Sequence, residues 1–409
     1  MRLIYIHQYF LKPEEGGAVR SYHLAKGMVD AGMEVEMVTA HSENTYDYKV
    51  IDGIKVHYLP VSYDNKFGFI KRTYAFLKFV RMAKKLLMKL KRPDLLYISS
   101  TPLTTGLIGL WAKEKLALPY VFEVRDLWPE APIQVGAVKN PLLKRMLYGL
   151  EKRIYDQALK VVTLSPGIRT YVENCSPNVS TSLIPNFSDV NFFQPSKAKS
   201  SKILDGLNWK AKNLSISYTG AIGEVNAVQE LLFLAKEAQN QGKEWQFAIK
   251  GKGKKLQELK GLASKLQLKN LQFLPFGDKS SVRDLLSVTD LAFISFDHLP
   301  VLQTNSPNKF FDALAMGNGI LINHEGWVWD LTKSNHLGIL YDVKQVKETI
   351  CRLEILAEDE TVLKAMKQRS RNLAMLHFSK EMAISKLLFT LDPKRFPRPV
   401  IDEVYMLTA

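Results

Sequence analysis

The chain has only two cysteines in 409 residues, Cys175 and Cys351, and they lie far apart in the sequence. Their separation fits neither a disulfide framework nor a metal or redox motif, so we expect a reducing compartment. Long apolar runs are also missing, since the closest, from Pro102 to Val124, is interrupted by Lys113, Glu114 and Lys115. The N-terminal apolar run is too short for a signal peptide. The sequence therefore predicts a soluble cytoplasmic protein without a membrane span.

Metal-binding and common nucleotide-binding motifs are absent as well. The eight histidines show no HxxxH or paired Cys/His spacing. Neither a Walker A motif, a G-x-S-x-G motif nor a protein-kinase signature occurs. We therefore predict no metal ligands and no bound cofactor.

Acidic residues are missing from one segment, Phe69 to Arg92, which carries nine basic residues in a chain of net charge +15. Helical spacing places five of its cations on one face, opposite apolar residues: Lys71, Lys78, Arg81, Lys85 and Lys89. Such helices bind anionic membrane surfaces, which would make the protein peripheral on the inner face of the cell membrane. The alternative is an ordinary crossover helix with a solvated basic face. We predict no nucleic-acid partner, because no recognised motif accompanies the charge.

Two stretches of the chain have the pattern of a βαβ unit. In the first, "LIYIHQYF" predicts a strand, "PEEGGAVR" a glycine turn, residues 18 to 31 a helix and "EVEMVTA" a second strand. In the second, "LSISYTG", a helix ending near Gly242 and "WQFAIKG" repeat that order. Neither glycine spacing is that of a dinucleotide-binding fingerprint. Two doubly wound α/β domains in tandem are therefore predicted.

The boundary between the two domains is predicted in the polar stretch from Pro195 to Ser201. The domains would then cover residues 1–195 and 196–385. Residues 386–409 end in a proline-containing segment that reads as an extended tail.

Five motifs in order resemble the retaining glycosyltransferases of family 4: "GGAVRSYHLAKGMVDAGMEVEMVTA", "EVRDLWPE", "LIPNFSDVNFFQP", "SYTGAIG" and "SPNKFFDALAMGNGILI". The subgroup that builds bacterial O-antigen, capsule or exopolysaccharide is the most similar. The resemblance implies a GT-B fold, in which two Rossmann-like, doubly wound domains face each other across a cleft. It implies that the second domain holds a nucleotide sugar and the first an acceptor, with the tail crossing back to the first domain.

The motif "NSPNKFFDALAMG" combines a helix start with a carboxylate. Ser306 is a predicted N-cap and Pro307 a first helical residue, so a helix is expected from about Pro307 to Met316. Its N-terminus, with Asn308 and Lys309, suits a diphosphate. The resemblance implies that Asp312 binds the donor ribose and that the second family acid, eight residues earlier, is replaced by Thr304. The alternative is a surface pair between Asp312 and Lys309.

Two loops of the second domain are further donor-binding candidates. In "SYTGAIGEVNAV", the resemblance implies a diphosphate clamp of Arg and Lys, which this chain lacks; Gly223 and Asn226 remain as candidates. The substitute cation could be Lys250 or Lys252 in "AIKGKGKK", or Lys309, because the leaving diphosphate needs a cation. Gly251, between the two lysines, is a further donor-binding candidate. A solvated turn is the alternative for the lysine-rich loop.

In the first domain, "EVRDLWPE" follows a predicted strand, at the edge where doubly wound sheets bind ligands. Arg125 replaces the histidine of many family members and cannot act as a base. It could stabilise diphosphate charge or contact the acceptor, and Asp126 or Glu130 could accept the acceptor's proton. A structural Arg–Asp clamp is the alternative. Gly16 and Gly17 are predicted to let the backbone approach donor phosphate and acceptor.

The sequence therefore predicts a retaining glycosyltransferase that transfers a hexosyl or N-acetylhexosaminyl group. The donor would be a nucleotide sugar, most often UDP-linked in this family, and the acceptor a lipid-linked or saccharide molecule of cell-surface polysaccharide synthesis. Two alternatives stay open: a UDP-sugar 2-epimerase, and a catalytically impaired membrane-binding relative.

Overall fold

A computed structural model describes residues 1–15, 19–64, 67–196 and 198–399. Among these, the first half of the chain forms an eight-stranded sheet in the order β3-β4-β2-β1-β5-β6-β7-β8. All neighbours are parallel except β3 and β4. The strands are β1 (Arg2–Ile6), β2 (Glu34–His41), β3 (Asp47–Ile51), β4 (Ile54–Pro60), β5 (Leu95–Ser99), β6 (Tyr120–Val124), β7 (Lys160–Thr163) and β8 (Thr181–Leu183).

Six helices connect these strands within the described residues. They are α1 (Arg20–Asp30), α2 (Phe69–Leu87), α3 (Gly106–Leu116), α4 (Glu130–Gln134), α5 (Pro141–Gln157) and α6 (Pro166–Cys175). Two of them begin with a side-chain cap followed by proline. Asn140 accepts a hydrogen bond from the backbone of Leu143, and Ser165 from that of Ile168. These caps satisfy N–H groups that a helix N-terminus leaves free.

The second half forms a parallel six-stranded sheet in the order β11-β10-β9-β12-β13-β14. Its strands are β9 (Ser215–Ala221), β10 (Gln246–Lys252), β11 (Leu271–Leu274), β12 (Leu291–Ile294), β13 (Gly319–Ile322) and β14 (Gly338–Leu340). Its helices are α7 (Ser201–Leu207), α8 (Gln229–Asn240), α9 (Leu256–Lys265), α10 (Lys279–Val288), α11 (Asn308–Ala315), α12 (Trp327–Ser334), α13 (Val346–Glu358) and α14 (Glu360–His377). The predicted α/β class with two Rossmann-like domains is confirmed.

The chain crosses between the two halves earlier than the sequence indicated. Phe187 packs in the core of the first half, whereas Val190 and Phe193 pack in the core of the second. The chain therefore passes from the first core to the second between Phe187 and Val190, upstream of the stretch from Pro195 to Ser201 that was predicted as the linker. The aromatic residues of "NFSDVNFF" anchor opposite domains, and their spacing alone does not reveal this division.

The last described helix, α15 (Lys380–Leu391), returns to the first half and packs on α1. Its contact is close: a Cβ at Gly27 would lie 2.6 Å from Cγ2 of Ile384. Leu387 is fully buried in the core of the first half. The whole helix belongs there, so the predicted boundary at residues 385 and 386 falls inside an element. Residues 400–409 of the predicted tail lie outside the described residues.

Contacts between the halves join segments that follow the carboxyl ends of strands. The backbone N–H of Val301 donates to Oε1 of Gln134 at 3.0 Å, and the backbone N–H of Asn186 donates to Oγ of Ser306 at 3.1 Å. A short 3₁₀ turn, Pro300–Thr304, carries Val301 into the core of the first half. The carboxyl edges of the two sheets therefore face each other, where open α/β sheets bind ligands.

Candidate active site between the two halves

A cavity of about 600 Å³ lies between the two halves. One wall is formed by α1, the opposite wall by α11 and the N-terminus of α10, and the crossing segment and α15 close the base. This volume is in the range of small-molecule sites. Charged and polar side chains line the cavity, among them Arg20, His23, Ser188, Lys279, Asn308 and Asp312.

Asp312 lies on α11 at the edge of this cavity and is only 6% exposed. Its Oδ1 accepts a hydrogen bond from the Ser188 hydroxyl at 2.8 Å. Its Oδ2 forms an ion pair with Nζ of Lys279 at 2.7 Å. The alternative of a surface pair with Lys309 was therefore wrong. Lys279 had not been recognised, because it lies 33 residues away in sequence, at the start of α10.

The N-terminus of α11 is built differently from the sequence prediction. The helix begins at Asn308, and Pro307 is its N-cap residue without a side-chain cap. Ser306 does not cap it: its hydroxyl accepts from the backbone of Asn186, whose side-chain amide donates to the Ser306 carbonyl at 2.5 Å. The predicted N-cap role was wrong because Ser306 instead joins α11 to the crossing segment. Asn308 lines the cavity.

Lys309 extends from the start of α11 to the carboxyl ends of β9 and β12. Its Nζ lies 3.2 Å from the Tyr218 hydroxyl and 3.2 Å from the Ser295 carbonyl oxygen. The ammonium also lies over the rings of Tyr218, at 4.3 Å, and Phe296, at 4.6 Å. Burial lowers the pKa of Lys309 to about 7. No carboxylate among the described residues lies within ion-pair distance of it.

The other predicted donor-binding residues of the second half lie along the same edge. Lys250 is buried at the end of β10, and its Nζ donates to the carbonyl of Pro275 at 3.1 Å; burial lowers its pKa. Gly251 serves strand packing, since a Cβ there would lie 1.9 Å from the Gly220 carbonyl oxygen. The Asn226 side chain accepts from the backbone N–H of Gly223 at 3.0 Å and so shapes its own loop.

Arg125 and Asp126 follow the carboxyl end of β6 and are half-buried. The Arg125 guanidinium lies 2.9 Å from Nε2 of His7. Burial raises the pKa of Asp126, and the charge of Arg125 partly opposes this shift. No ion pair joins the two within the described part of the chain, so the clamp alternative has no support. Neither residue lines the cavity.

Glu130, the third predicted catalytic residue, has a different set of contacts. It is the first residue of α4 and accepts hydrogen bonds from the side chains of Gln134 and Tyr148. Gln134 in turn accepts from the backbone of Val301 in the second half. Glu130 therefore orients Gln134, which contacts the second half, and it does not line the cavity. Gly16 and Gly17 lie outside the described residues.

A buried charge network beneath the first-half wall was missed by sequence reasoning. Glu123 is fully buried at the end of β6, and its Oε1 accepts from Nε of Arg20 at 2.9 Å. It also accepts from the Ser99 and Tyr97 hydroxyls, at 2.6 and 2.9 Å. Burial alone would raise the pKa of Glu123, but Arg20 and Arg125 hold it at about 2. A glutamate inside the apolar strand "YVFEV" was the available indication.

Thr304, which replaces the second family acid, faces the first half instead of the cavity. Its hydroxyl donates to the carbonyl of Val301 at 2.8 Å. A Cβ at Gly167, in the first turn of α6, would lie 2.9 Å from Cγ2 of Thr304. Position 304 is therefore a packing position between the halves, and a longer acidic side chain would meet α6.

Comparisons with known protein families agree with this architecture. Residues 15–186 match the Glycosyl transferase 4-like domain, and residues 200–373 match the Glycosyl transferases group 1 domain. Among curated proteins, no sequence relative matches the chain.

Solved structures are similar over nearly the whole chain. Sucrose-phosphate synthase from Thermosynechococcus elongatus has a TM-score of 0.78 at 16% identity, covering 96% of this chain and 98% of that one. HepE of Anabaena in complex with UDP has a TM-score of 0.68 at 17% identity, covering 96% and 100%. WaaG, a glycosyltransferase of lipopolysaccharide biosynthesis, has a TM-score of 0.67 at 12% identity, covering 93% and 97%.

The two facing domains, their cleft and both domain matches define a glycosyltransferase of GT-B fold. The chain belongs to the glycosyltransferases, with a family 4-like first domain and a group 1 second domain. In the described residues, no helix is long and apolar enough to cross a bilayer. No group of three or more potential metal ligands occurs in that part of the chain either.

Proposed function

We propose that the protein is a retaining glycosyltransferase that uses a nucleotide sugar, most readily a UDP-sugar, as its donor. The observation that carries this proposal is the second-half wall of the cleft. There a carboxylate, Asp312, borders the 600 Å³ cavity, and Lys309, a cation without a carboxylate partner among the described residues, lies at the strand ends. A carboxylate accepts hydrogen bonds from ribose hydroxyls, and an ammonium binds diphosphate.

Lys309 would bind the donor diphosphate in place of the Arg and Lys clamp that this chain lacks. Its pKa is lowered by burial, so the protonated form lacks full compensation in the ligand-free protein. A diphosphate would supply that compensation and would be stabilised as charge develops on the leaving group. Lys250, at the end of the neighbouring strand, donates one hydrogen bond to the Pro275 carbonyl. It is proposed as a second, weaker contact to the diphosphate.

Retention would follow from attack on the same face from which the nucleotide departs, with the departing phosphate accepting the incoming proton. The chain's contribution is then orientation of the substrates and stabilisation of leaving-group charge. Asp126, whose pKa burial raises, is the residue proposed to orient the acceptor hydroxyl. Glu130 is assigned no catalytic role, because its carboxylate accepts hydrogen bonds from Gln134 of α4 and from Tyr148.

The proposed acceptor is a lipid-linked saccharide, and α2 supports this assignment. The helix buries Phe79 and Ala83 against the sheet, yet Ile70 is 83% and Tyr74 68% exposed on its outer face. Exposed cations share that face: Lys71, Arg81 and Lys85. Apolar and basic side chains together are what an anionic membrane surface binds. The expected location is peripheral, on the inner face of the cell membrane.

Aromatic side chains connect α2 with the cleft. The Tyr63 ring stacks on Phe76 of α2 at 5.6 Å and lies 5.0 Å from Tyr9, after β1. Phe76 also contacts Trp128, three residues after Arg125, with ring centroids 6.2 Å apart. An acceptor bound at this wall could therefore keep its lipid at the membrane surface while its sugar reaches the strand ends.

Thermal shifts with UDP-, GDP-, ADP- and dTDP-sugars test the donor assignment. We expect stabilisation by one nucleotide series, with loss of most of that shift in Asp312→Asn and Lys309→Gln. The exposed Lys333→Gln variant is the matched control and should behave as the wild type. Absence of a shift with all four series would contradict the proposal. Interconversion of the donor sugar without any acceptor would favour the epimerase alternative.

Vesicle flotation tests the membrane assignment. The protein should float with vesicles containing anionic phospholipid and remain behind with purely zwitterionic ones. Replacing Lys71, Arg81 and Lys85 by glutamine should abolish flotation, since each cation near such a surface contributes about 1 kcal/mol. Equal flotation of this variant would remove α2 as the docking surface and leave the donor assignment untouched.

A further inference from the structure

The end of β1 and the end of β6 bring a histidine and an arginine into direct contact. His7, the residue after β1, is 2% exposed and lies 2.9 Å from the Arg125 guanidinium through Nε2. Its Nδ1 lies 3.0 Å from the hydroxyl of Ser21, which is fully buried in α1. Because a guanidinium only donates, Nε2 must be the accepting nitrogen. The proton therefore sits on Nδ1 and is donated to Ser21.

The imidazole stays neutral in this position. Burial, together with the charge of Arg125, lowers the pKa of His7 to about 3, although Glu123 opposes the shift. A neutral histidine can hold Arg125 without cancelling its positive charge. The two neighbouring arginines thus differ: Arg20 is neutralised by Glu123 at 2.9 Å, while the fixed Arg125 has no carboxylate partner within 4 Å among the described residues.

Other polar groups at the same strand ends also lack partners. Gln8, next to His7, is fully buried, and neither its amide nitrogen nor its amide oxygen has a hydrogen-bond partner within the part of the chain that the structure describes. Buried amides without partners are rare and indicate a polar ligand or water. The backbone N–H of Arg125 donates to the Ser100 hydroxyl at 3.0 Å. Hydrogen bonds therefore position both the main chain and the side chain of Arg125.

We propose that His7 is a positioning residue that fixes Arg125 as a binding site for a substrate oxyanion, a phosphate or carboxylate group. The inference rests on the proposed function, because it concerns a substrate bound in the same cleft. The oxyanion has two possible sources: the diphosphate of the donor, or an anionic group on the acceptor. The geometry requires that planar N–H groups of Arg125 meet an oxyanion that the described residues do not supply.

Calorimetric titration with inorganic pyrophosphate tests this inference on the full chain. Arg125→Gln removes the cation, and His7→Leu removes the nitrogen that orients it. Both should weaken pyrophosphate binding about tenfold, the loss expected for one charge-assisted contact. His7→Gln places an amide oxygen near the position of Nε2 and should restore most of the affinity, which a purely structural role of the histidine would not predict. His57→Leu, a buried histidine of the same sheet that pairs with Glu36, is the matched control.

Repeating the titration with saturating UDP separates the two sources. If UDP removes the Arg125-dependent part of the affinity, the donor diphosphate occupies the site; if that part persists, the site serves an anionic acceptor group. Either result supports the inference. Equal pyrophosphate affinity of wild type, Arg125→Gln and His7→Leu would overturn it. A wild type that binds no nucleotide would instead overturn the proposed function, and the pyrophosphate comparison would still report on Arg125.

Discussion

The two walls of the cleft differ in whether their buried charges are paired within the protein. In the first half, Glu123, Arg20 and the hydroxyls of Tyr97 and Ser99 form a fully buried network in which the carboxylate is satisfied by the chain itself. In the second half, the polar partners of Lys309 among the described residues are one hydroxyl and one carbonyl. This Glu123 network is complete without a ligand, whereas the second wall has a cation that an anion would stabilise. Substitutions in the Glu123 network should therefore affect folding, whereas substitution of Lys309 should affect donor affinity.

The largest effect is expected for Glu123→Gln in the first wall. The substitution leaves the buried Arg20 guanidinium without its counter-ion, which costs about 3–5 kcal/mol of folding free energy. Thermal melting of the ligand-free protein measures this loss, and Glu114→Gln, at an exposed ion pair with Lys115, is the control. A Glu123→Gln protein as stable as the wild type would show that the network is not the structural base of this wall.

Lys309→Gln should leave the melting temperature of the ligand-free protein close to that of the wild type or raise it, because it removes a charge that burial disfavours. Its nucleotide affinity should fall about tenfold to a hundredfold, the range of a hydrogen bond to a charged group. Such a result would show that Glu123 serves stability and Lys309 serves nucleotide binding. A loss of stability with unchanged UDP affinity would reverse the assignment.

The pH dependence sharpens the same point. With a pKa of about 7, Lys309 loses its proton above neutral pH in the free protein, so binding must restore it and wild-type UDP affinity should decline as the pH rises above about 7. Ligand-free stability should change in the opposite direction: the folded state holds fewer protons than the unfolded chain from there up to the ordinary lysine range, and stability therefore rises with pH. Lys309→Arg keeps its charge and should abolish the decline in affinity, which UDP titrations from pH 6 to 9 would show.

Asp312→Asn should have a smaller effect on donor affinity, about tenfold, because the amide can still make one of the two ribose contacts. Ser188→Ala is the informative control, since it removes only the hydrogen bond to Oδ1 and leaves the pair with Lys279. Its UDP affinity should stay near the wild-type value. If both variants weakened binding equally, Asp312 would act through its orientation and not as a direct ligand.

Elements whose information is local could be predicted from the sequence. The strand–turn–helix–strand units at β1 and β9 follow from apolar periodicity, and α11 was placed within one residue at each end by proline and glycine positions. Contacts between distant elements could not be predicted in this way. Lys279 pairs with Asp312 across 33 residues, and Arg20 with Glu123 across 103. Such pairs depend on how helices pack across the cleft, which no local pattern records.

The crossing segment illustrates a second limit. Phe187 and Phe193 are both apolar, six positions apart, and pack in different cores. The polar composition of Pro195 to Ser201 is typical of a linker. The residues that pass between the two cores are instead held by hydrogen bonds, which composition does not indicate. Ser188 is held in this way through its bridge with Ser379 and its bond to Asp312.

The contact between Thr304 and Gly167 joins the two walls and gives the smallest predicted effect. Gly167→Ala would place a Cβ 2.9 Å from Cγ2 of Thr304, so the halves must separate slightly or the turn must shift. Overpacking of this kind costs about 1 kcal/mol at the lower end of its range, which corresponds to about a fivefold loss of turnover if the closed arrangement is the reactive one. UDP affinity should be nearly unchanged, because Asp312 and Lys309 both belong to the second half.

The second-site variant Gly167→Ala with Thr304→Ser provides the control. Serine keeps the hydroxyl that donates to Val301 and removes the methyl group that would meet the new Cβ. Turnover should recover in the double variant while Thr304→Ser alone remains close to wild type. If Gly167→Ala lowered turnover and the serine failed to restore it, the loss would come from α6 itself. The two walls would then act without coupling through this contact.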